Sequence, residues 1–318
     1  MLFTADGLEQ ASRPDAAQYH ADVFRDAGIA SVREVGCGIG SDTLAFARAG
    51  LSVTARELEP ERVDIARHNL SEFPHVSVEC ADGLADIVED GLWADPARRG
   101  ATGRITNPEG WAPPLSAVVS ASRGVTVAGI KIAPGIDHSA LPEDATVDWL
   151  SSGGDLVEAI IWLGLGGAAR RAVLLGGGVV TVAGDPTRPP ALVPPSELGS
   201  YIYEPDPALI RAGGIAQLCA DYDLAPVAPG IAYLTGDTPV ESPFLERFVV
   251  DAVLPMQEKK LARELRRLDI GALEIKKRGV DVTPEVLRTK LKLSGSQSAV
   301  LILTPLLTGR RAVLVRRV

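Results

Sequence analysis

The first 165 residues alternate between two hydrophobic periods. Apolar runs at residues 32–35, 76–80, 91–94 and 125–132 read as strands, and the alternation at 51–55 reads as another. Between them, residues 13–28, residues 115–123 and a stretch from the glycine turn to near Gly50 read as helices. So do residues 60–70, where Pro60 opens the segment and Val63, Ile65, Ala66 and Leu70 recur at helical spacing. Strands at 146–151 and 156–163 flank Gly153-Gly154, a hairpin signal. The segment RRAVLLGGGVVTVAG predicts one more hairpin, and residues 185–196, with five prolines, read as a linker. A smaller α+β unit follows. It has a strand at 273–277, a helix from Thr283 to about Lys292, and strands at 299–304 and 311–315 joined at Thr308-Gly309. The expected domains are residues 1–165, a hairpin and linker at 166–199, and residues 200–318.

Strands alternating with helices imply a parallel sheet covered on both faces, and the hairpin at 146–163 supplies an antiparallel closing strand. Ligands of such sheets bind at the carboxyl ends of the strands. Those ends hold Gly36–Gly40, Glu57, Asp82 and Asp95.

The turn after the first strand reads Glu34-Val35-Gly36-Cys37-Gly38-Ile39-Gly40. Glycine permits positive φ and close approach of the backbone to a ligand, and the following helix points its free N–H groups there. A dinucleotide fingerprint, G-x-G-x-x-G, would place its third glycine at position 41, which is Ser41. The observed G-x-G-x-G, with an acid two residues in front, resembles the first motif of class I S-adenosylmethionine-dependent methyltransferases. That cofactor carries an ammonium and a sulfonium and no pyrophosphate, so Glu34 helps where it would repel a phosphate. Cys37 and Ile39 complete the cradle with Gly36, Gly38 and Gly40.

Glu57 ends the second strand, where a carboxylate can accept both ribose hydroxyls of a nucleoside. Glu59 competes for that role. Asp82 ends the third strand. In the methyltransferase pattern an acid here accepts the adenine amino group; the plain alternative is a turn Asp before Gly83. Asp95-Pro96-Ala97-Arg98-Arg99 ends the fourth strand. Amino-group methyltransferases have D/N-P-P-Y/F here, with the acid and first proline carbonyl accepting from the attacked amine. Ala97 and Arg98 replace the second proline and the aromatic ring, so Arg98 and Arg99 suit a phosphate or a guanine edge of the substrate. Solvated arginines paired with nearby acids are the alternative.

Cys37, Cys80 and Cys219 lie far apart, with neither disulfide nor zinc spacing, and none suits a pyrimidine nucleophile. The histidines form no metal or triad pattern. Direct transfer to a nitrogen, with Asp95 and Pro96 at the reacting centre, therefore fits better than covalent catalysis. No apolar run reaches membrane-span length and the N-terminus has no export pattern, so a cytoplasmic, metal-free protein is expected. The net charge of −9 hides an asymmetry. Residues 259–318 hold 15 basic and 5 acidic residues, against 17 and 36 in the rest. Lys276, Lys277, Arg278 and Arg288, with the basic helix at 259–267, fit an RNA backbone. A solvated helix, or a patch docking on the acidic body, is the alternative.

The stretches FTADGLEQASRP, EVGCGIGSD, WADPARR, IKIAPGI, GGDLVEA, YIYEPDPALIRAG and LEIKKRGVDVTPEVLR run in order through most of the chain. Together they resemble a bacterial family of class I methyltransferases with a C-terminal THUMP-like domain. The resemblance implies a Rossmann-like seven-stranded α/β sheet binding S-adenosylmethionine, followed by a smaller α+β module akin to RNA-binding THUMP domains. It also implies that Phe3 and Thr4 close the cofactor pocket. Glu34 stands where Asp is usual and Arg56-Glu57 where Val-Asp is usual; both changes keep the acid.

Overall fold

The structure, a computed structural model, describes residues 2–100 and 103–318. The chain divides into two compact units, residues 1–187 and 188–318.

In the first unit, helices α1 (Ala5–Gln10) and α2 (Pro14–Asp26) precede β1 (Ser31–Val35). Then come α3 (Ser41–Arg48), β2 (Ser52–Glu57), α4 (Pro60–Asn69), β3 (Val76–Cys80) and β4 (Gly91–Ala94). A short ribbon, β5 (Arg99–Gly100) and β6 (Gly103–Arg104), leads to α5 (Leu115–Ser122) and β7 (Val127–Ile132). The unit closes with β8 (Thr146–Ser152), β9 (Asp155–Leu163), β10 (Ala169–Leu174) and β11 (Gly178–Val182). The main sheet has the order β11-β10-β8-β9-β7-β4-β1-β2-β3. It is parallel from β3 to β7, and β9 enters antiparallel between β7 and β8.

This is the expected sheet extended by two strands. The hairpin placed with the linker by sequence is part of the sheet, because β10 pairs in parallel with β8. A buried ion pair fixes that pairing: Arg171 of β10 donates to both oxygens of Asp148 on β8, at 2.5 and 2.7 Å. The same carboxylate accepts from Tyr19 and the Trp162 indole, so it is fully satisfied inside the core.

Beneath the site, Phe24 of α2 and Phe46 of α3 pack edge-on against Trp93 of β4. Gly129 of β7 faces the ladder between Trp93 and Trp162, and a Cβ there would lie 2.6 Å from both rings.

The second unit runs β12 (Tyr201–Pro205), α6 (Pro207–Ala212), α7 (Ile215–Tyr222), β13 (Ala225–Pro226) and β14 (Leu234–Gly236). It continues with β15 (Leu245–Pro255), α8 (Glu258–Arg267), β16 (Ile270–Lys277), α9 (Pro284–Leu291), β17 (Gln297–Leu306) and β18 (Gly309–Arg317). Its sheet has the order β13-β14-β12-β15-β18-β17-β16. Leu261 and Leu265 of α8 and Leu287 and Leu291 of α9 share a core with Leu273, Leu301 and Leu303 of the sheet.

Gly129→Ala should lower unfolding stability by about 2 kcal/mol, the usual scale for overpacking a dense core. Urea denaturation checks this; an unchanged midpoint would mean that the two indoles have room to part.

Candidate active site

The turn from β1 into α3 takes three left-handed glycines, with φ of +75° at Gly36, +56° at Gly38 and +87° at Gly40. It is pinned to the neighbouring strand, since the N–H groups of Gly36 and Cys37 both donate to the Arg56 carbonyl, at 2.8 and 3.2 Å. Glu57, the last residue of β2, folds back over the turn. Its Oε2 accepts from Gly38 N at 3.0 Å, and its Oε1 accepts from Leu58 N and Glu59 N at 2.8 and 3.1 Å. Above Gly38 a Cβ would meet nothing within 4 Å, whereas above Gly36 it would approach the Asp95 carbonyl at 3.6 Å. The cradle is thus open over its middle glycine and closed on the Asp95 side.

Asp82 lies two residues beyond Cys80, which is in register with Glu57. It is exposed, and its Oδ1 accepts from Leu84 N at 2.9 Å, the turn geometry weighed in the sequence. The loop it begins is held from below by two arginines. Arg56 donates to the carbonyls of Asp82 and Ala85, and buried Arg33 donates to those of Ala85 and Asp86.

Glu34 does not face the open cradle. It is 2% exposed, and its Oε2 accepts from the Thr43 hydroxyl of α3 at 2.5 Å. Burial, with Asp42 close by, pushes its carboxyl well above the usual range. The acid in front of the turn is thus tied to α3 through Thr43 and anchors that helix.

The N-terminal residues are tied to the cradle through Asn69 of α4. Its side chain pairs with both main-chain groups of Leu2 and donates to the Ile39 carbonyl. Thr4 caps α1, accepting from Gly7 N at 3.0 Å, and Gly7 lies against Ile39, which is buried. Phe3 is largely exposed, as is Leu58 beside Glu57. Cys37 is buried, and burial pushes its thiol up, so it is inert as a nucleophile.

Asp95 follows β4 and is half-buried, with buried Pro96 after it. Its Oδ2 accepts from the Lys131 ammonium of β7 at 3.0 Å. Burial raises the Asp95 carboxyl, and Lys131 and Arg98 offset only part of that rise. Arg98 is half-buried in the loop closed by the Ala97–Ala112 bridge. Arg99 falls in β5, and its side chain lies outside the described residues.

Sequence reasoning missed the group behind Asp95. His20 of α2 is fully buried, with Nδ1 2.8 Å from Asp42 Oδ1 and Nε2 2.5 Å from Glu158 Oε1. Its ring stacks on Trp93 at 4.2 Å. Burial alone would lower the imidazole, but the two carboxylates outweigh it and push it up to about 9. The signal available in the sequence was a histidine on the apolar face of an amphipathic helix, which does not name its partners.

The basic residues of the second unit divide. Lys276 is consumed internally, 2.7 Å from Glu204 and 2.9 Å from Glu246, and Arg278 pairs with Glu204 at 3.2 Å. Arg288 is exposed and donates to the Leu273 carbonyl. Lys277 is exposed. On α8, Lys259, Lys260, Arg263, Arg266 and Arg267 are all exposed opposite the buried Leu261 and Leu265. Lys259, Lys260, Lys277 and Lys292 make no ion pair with any described residue. The patch at 276–278 is therefore largely neutralised; on α8, Arg263 and Arg267 share Glu264, and the unpaired lysines stand on that helix and at Lys277 and Lys292.

Comparison with known proteins accords with this geometry. The chain is 33% identical over 316 residues to an uncharacterised S-adenosylmethionine-dependent methyltransferase of Mycobacterium tuberculosis, in strains CDC 1551 and H37Rv, covering 97% of this chain and 86% of the relative. Residues 245–317 match the THUMP domain-like family. A crystal structure assigned as a methyltransferase from Porphyromonas gingivalis superposes with a TM-score of 0.81 at 21% identity, covering 99% of this chain and 83% of that one, and so shares its fold. The chain belongs to the S-adenosylmethionine-dependent methyltransferases, with a THUMP-like domain at its C-terminus. S-adenosylmethionine is its cofactor. No helix among the described residues is long and apolar enough to cross a membrane, and no described cluster has the makings of a metal site.

His20 gives the site a pH signature. Its folded value lies above the unfolded value near 6.5, so its stabilising contribution is whole below that pH and is lost as pH climbs through about 9. Urea unfolding of the wild type should show stability falling between those limits. A His20 ring titrating near 6.5 by NMR would contradict it.

Proposed function

We propose that the protein methylates a base nitrogen of a structured RNA, tRNA or rRNA, by direct in-line transfer. The observation that carries this reading is the placement of Asp95. Its main chain closes one side of the glycine cradle, and only one of its carboxylate oxygens is tied to Lys131. The cofactor supplies an electrophilic methyl group. Gly36, Cys37, Gly38, Ile39 and Gly40 fit it as a cradle, since the three left-handed glycines shape a turn with open space over Gly38. Glu57 fits the ribose hydroxyls and Asp82 the adenine amino group, with Leu58, Phe3 and Thr4 at the rim. Asp95 and the Pro96 carbonyl would orient the attacked nitrogen, and Asp95 would take the proton that leaves it. Glu34 contributes by holding α3 in place. Arg98 and Arg99 would meet the substrate near the reacting centre.

RNA as the acceptor is supported by the THUMP-like match and by the cationic outer face of α8. Lys277 and Arg288 belong to the same proposed contact set, with Lys276 and Arg278 as its salt-bridged support. One observation favours a second reading, a methyltransferase for a small molecule or a protein. Lys276 and Arg278 are neutralised inside their own unit, as in a purely structural module.

Labelled methyl transfer from S-adenosylmethionine to RNA of a strain lacking the gene, followed by nucleoside mass spectrometry, separates the two. Transfer to RNA supports the first reading, and none supports the second. Glu57→Ala should abolish micromolar cofactor binding by calorimetry; equal binding would remove Glu57 from the site. Lys259→Glu with Arg263→Glu should weaken RNA binding and flatten its salt dependence by about one slope unit for each phosphate no longer neutralised. An unchanged slope would clear α8 of any part in binding.

A further inference from the structure

The buried groups behind Asp95 close into a ring. Lys131 Nζ donates to Ser12 Oγ at 2.9 Å, and Ser12 Oγ donates to Asp42 Oδ2 at 2.7 Å. Asp42 Oδ1 meets His20 Nδ1, His20 Nε2 meets Glu158 Oε1, and Glu158 Oε2 returns to Lys131 at 3.6 Å. Five segments contribute: the α1–α2 connection, α2, α3, β7 and β9. With His20 and Lys131 protonated, two cations face two carboxylates and the ring is neutral. Asp95, bonded to Lys131 from outside, is its branch towards the half-exposed site.

We propose that Lys131 is a positioning residue for methyl transfer, fixing the Asp95 carboxylate through one oxygen so that the other is presented to the acceptor. This rests on the acceptor role given to Asp95 above. Lys131 donates to Ser12 and Asp95 and forms an ion pair with Glu158 at 3.6 Å. Buried and held by these three groups, it acts through Asp95. The ring also explains why the ammonium cannot swing away, since Glu158 and Ser12 are themselves held by His20 and Asp42. Asp42 lies in the first turn of α3, directly after the glycine cradle. One circuit of hydrogen bonds and an ion pair therefore references the acceptor acid to the cofactor turn. Replacing such a circuit by apolar packing would often be neutral or stabilising, so its benefit is sought in geometry. Preorganised polar groups placed before the reaction supply that benefit.

Charge gives the proposal a readout that loose packing would not move. Around Asp95 stand Lys131 on β7, Asp42 on α3, Glu34 on β1 and Arg98 in its own loop, with Glu158 and His20 behind. Lys131 favours the ionised carboxylate against burial and Asp42. Removing the cation must therefore raise the titration of Asp95, and activity must be lost at a higher pH on the acid side.

The test uses the full chain, RNA from a strain lacking the gene and labelled S-adenosylmethionine. Lys131→Met is compared with Lys131→Met/Glu158→Gln, which keeps the buried charge balanced should the single variant not fold. Calorimetric cofactor affinity should stay within about threefold, while kcat falls about 10- to 100-fold, the scale of a misplaced reacting group. The acid limb of the pH–rate profile should move up by about one unit. Carboxyl NMR, with Asp95→Asn to assign the signal, should show Asp95 titrating higher by the same amount. A rate that falls equally at every pH with the acid limb fixed, or an Asp95 titration that does not move, overturns the proposal. If the wild type methylates no RNA, the RNA reading fails, and the NMR titration alone still decides whether Lys131 governs that carboxylate.

Discussion

The bond from Glu57 to the Gly38 amide is the constraint on which the site depends. A buried strand must give way within five residues to a helix, and only left-handed glycines make that reversal. The amides released by the turn need partners. Two find the Arg56 carbonyl and a third finds the Glu57 carboxylate, so the end of β2 defines where the turn sits. Because β1 is flanked by β2 and β4, the same register brings Asp95 N to the Val35 carbonyl and Asp95 O over Gly36. The cofactor side and the acceptor side are thus two edges of a single backbone feature.

Electrostatics follows from burial at those edges. Glu34 is raised by burial and by Asp42 beside it, and serves as a hydrogen-bonded anchor. Asp42 itself, with His20 and Lys131 close by, is held below the usual range although burial opposes that. Two acids eight residues apart on consecutive elements are therefore pushed in opposite directions, and their partners decide which. Counting acids near a cationic ligand is a poor guide until their partners are known.

Local pattern made most of the first sheet legible. Apolar runs and the glycine turn located β1 to β4, β7 and the hairpin β8–β9 within a residue or two, because a strand buried on both faces leaves few alternatives. The features left unread depend on distant pairings. His20 and Glu158 are 138 residues apart, and Arg171 needs Asp148 before β10 can be seen to join the sheet. In β15 the polar residues Glu246, Arg247 and Asp251 interrupt the apolar pattern, and each has its partner elsewhere in the second unit. Helix α1 is six residues long, capped by Thr4, and lies against Ile39 through a glycine that no helical period marks.

The basic tail shows what a charge count omits. The window 259–318 excludes Glu204 and Glu246, yet these two acids neutralise Lys276 and Arg278 from strands β12 and β15. Half-buried ion pairs tie the end of β16 to those strands, and the cations also lie over Phe248 and Tyr233. A cation in that position is committed to packing and offers a polyanion little. The α8 lysines differ because their helix buries only its leucine face, so folding leaves their ammonium groups in water. If a phosphate backbone is bound, long-range attraction must come from charges whose field is not already spent, and in this module those include Lys259 and Lys260 on the outer surface of α8 with Lys277 and Lys292.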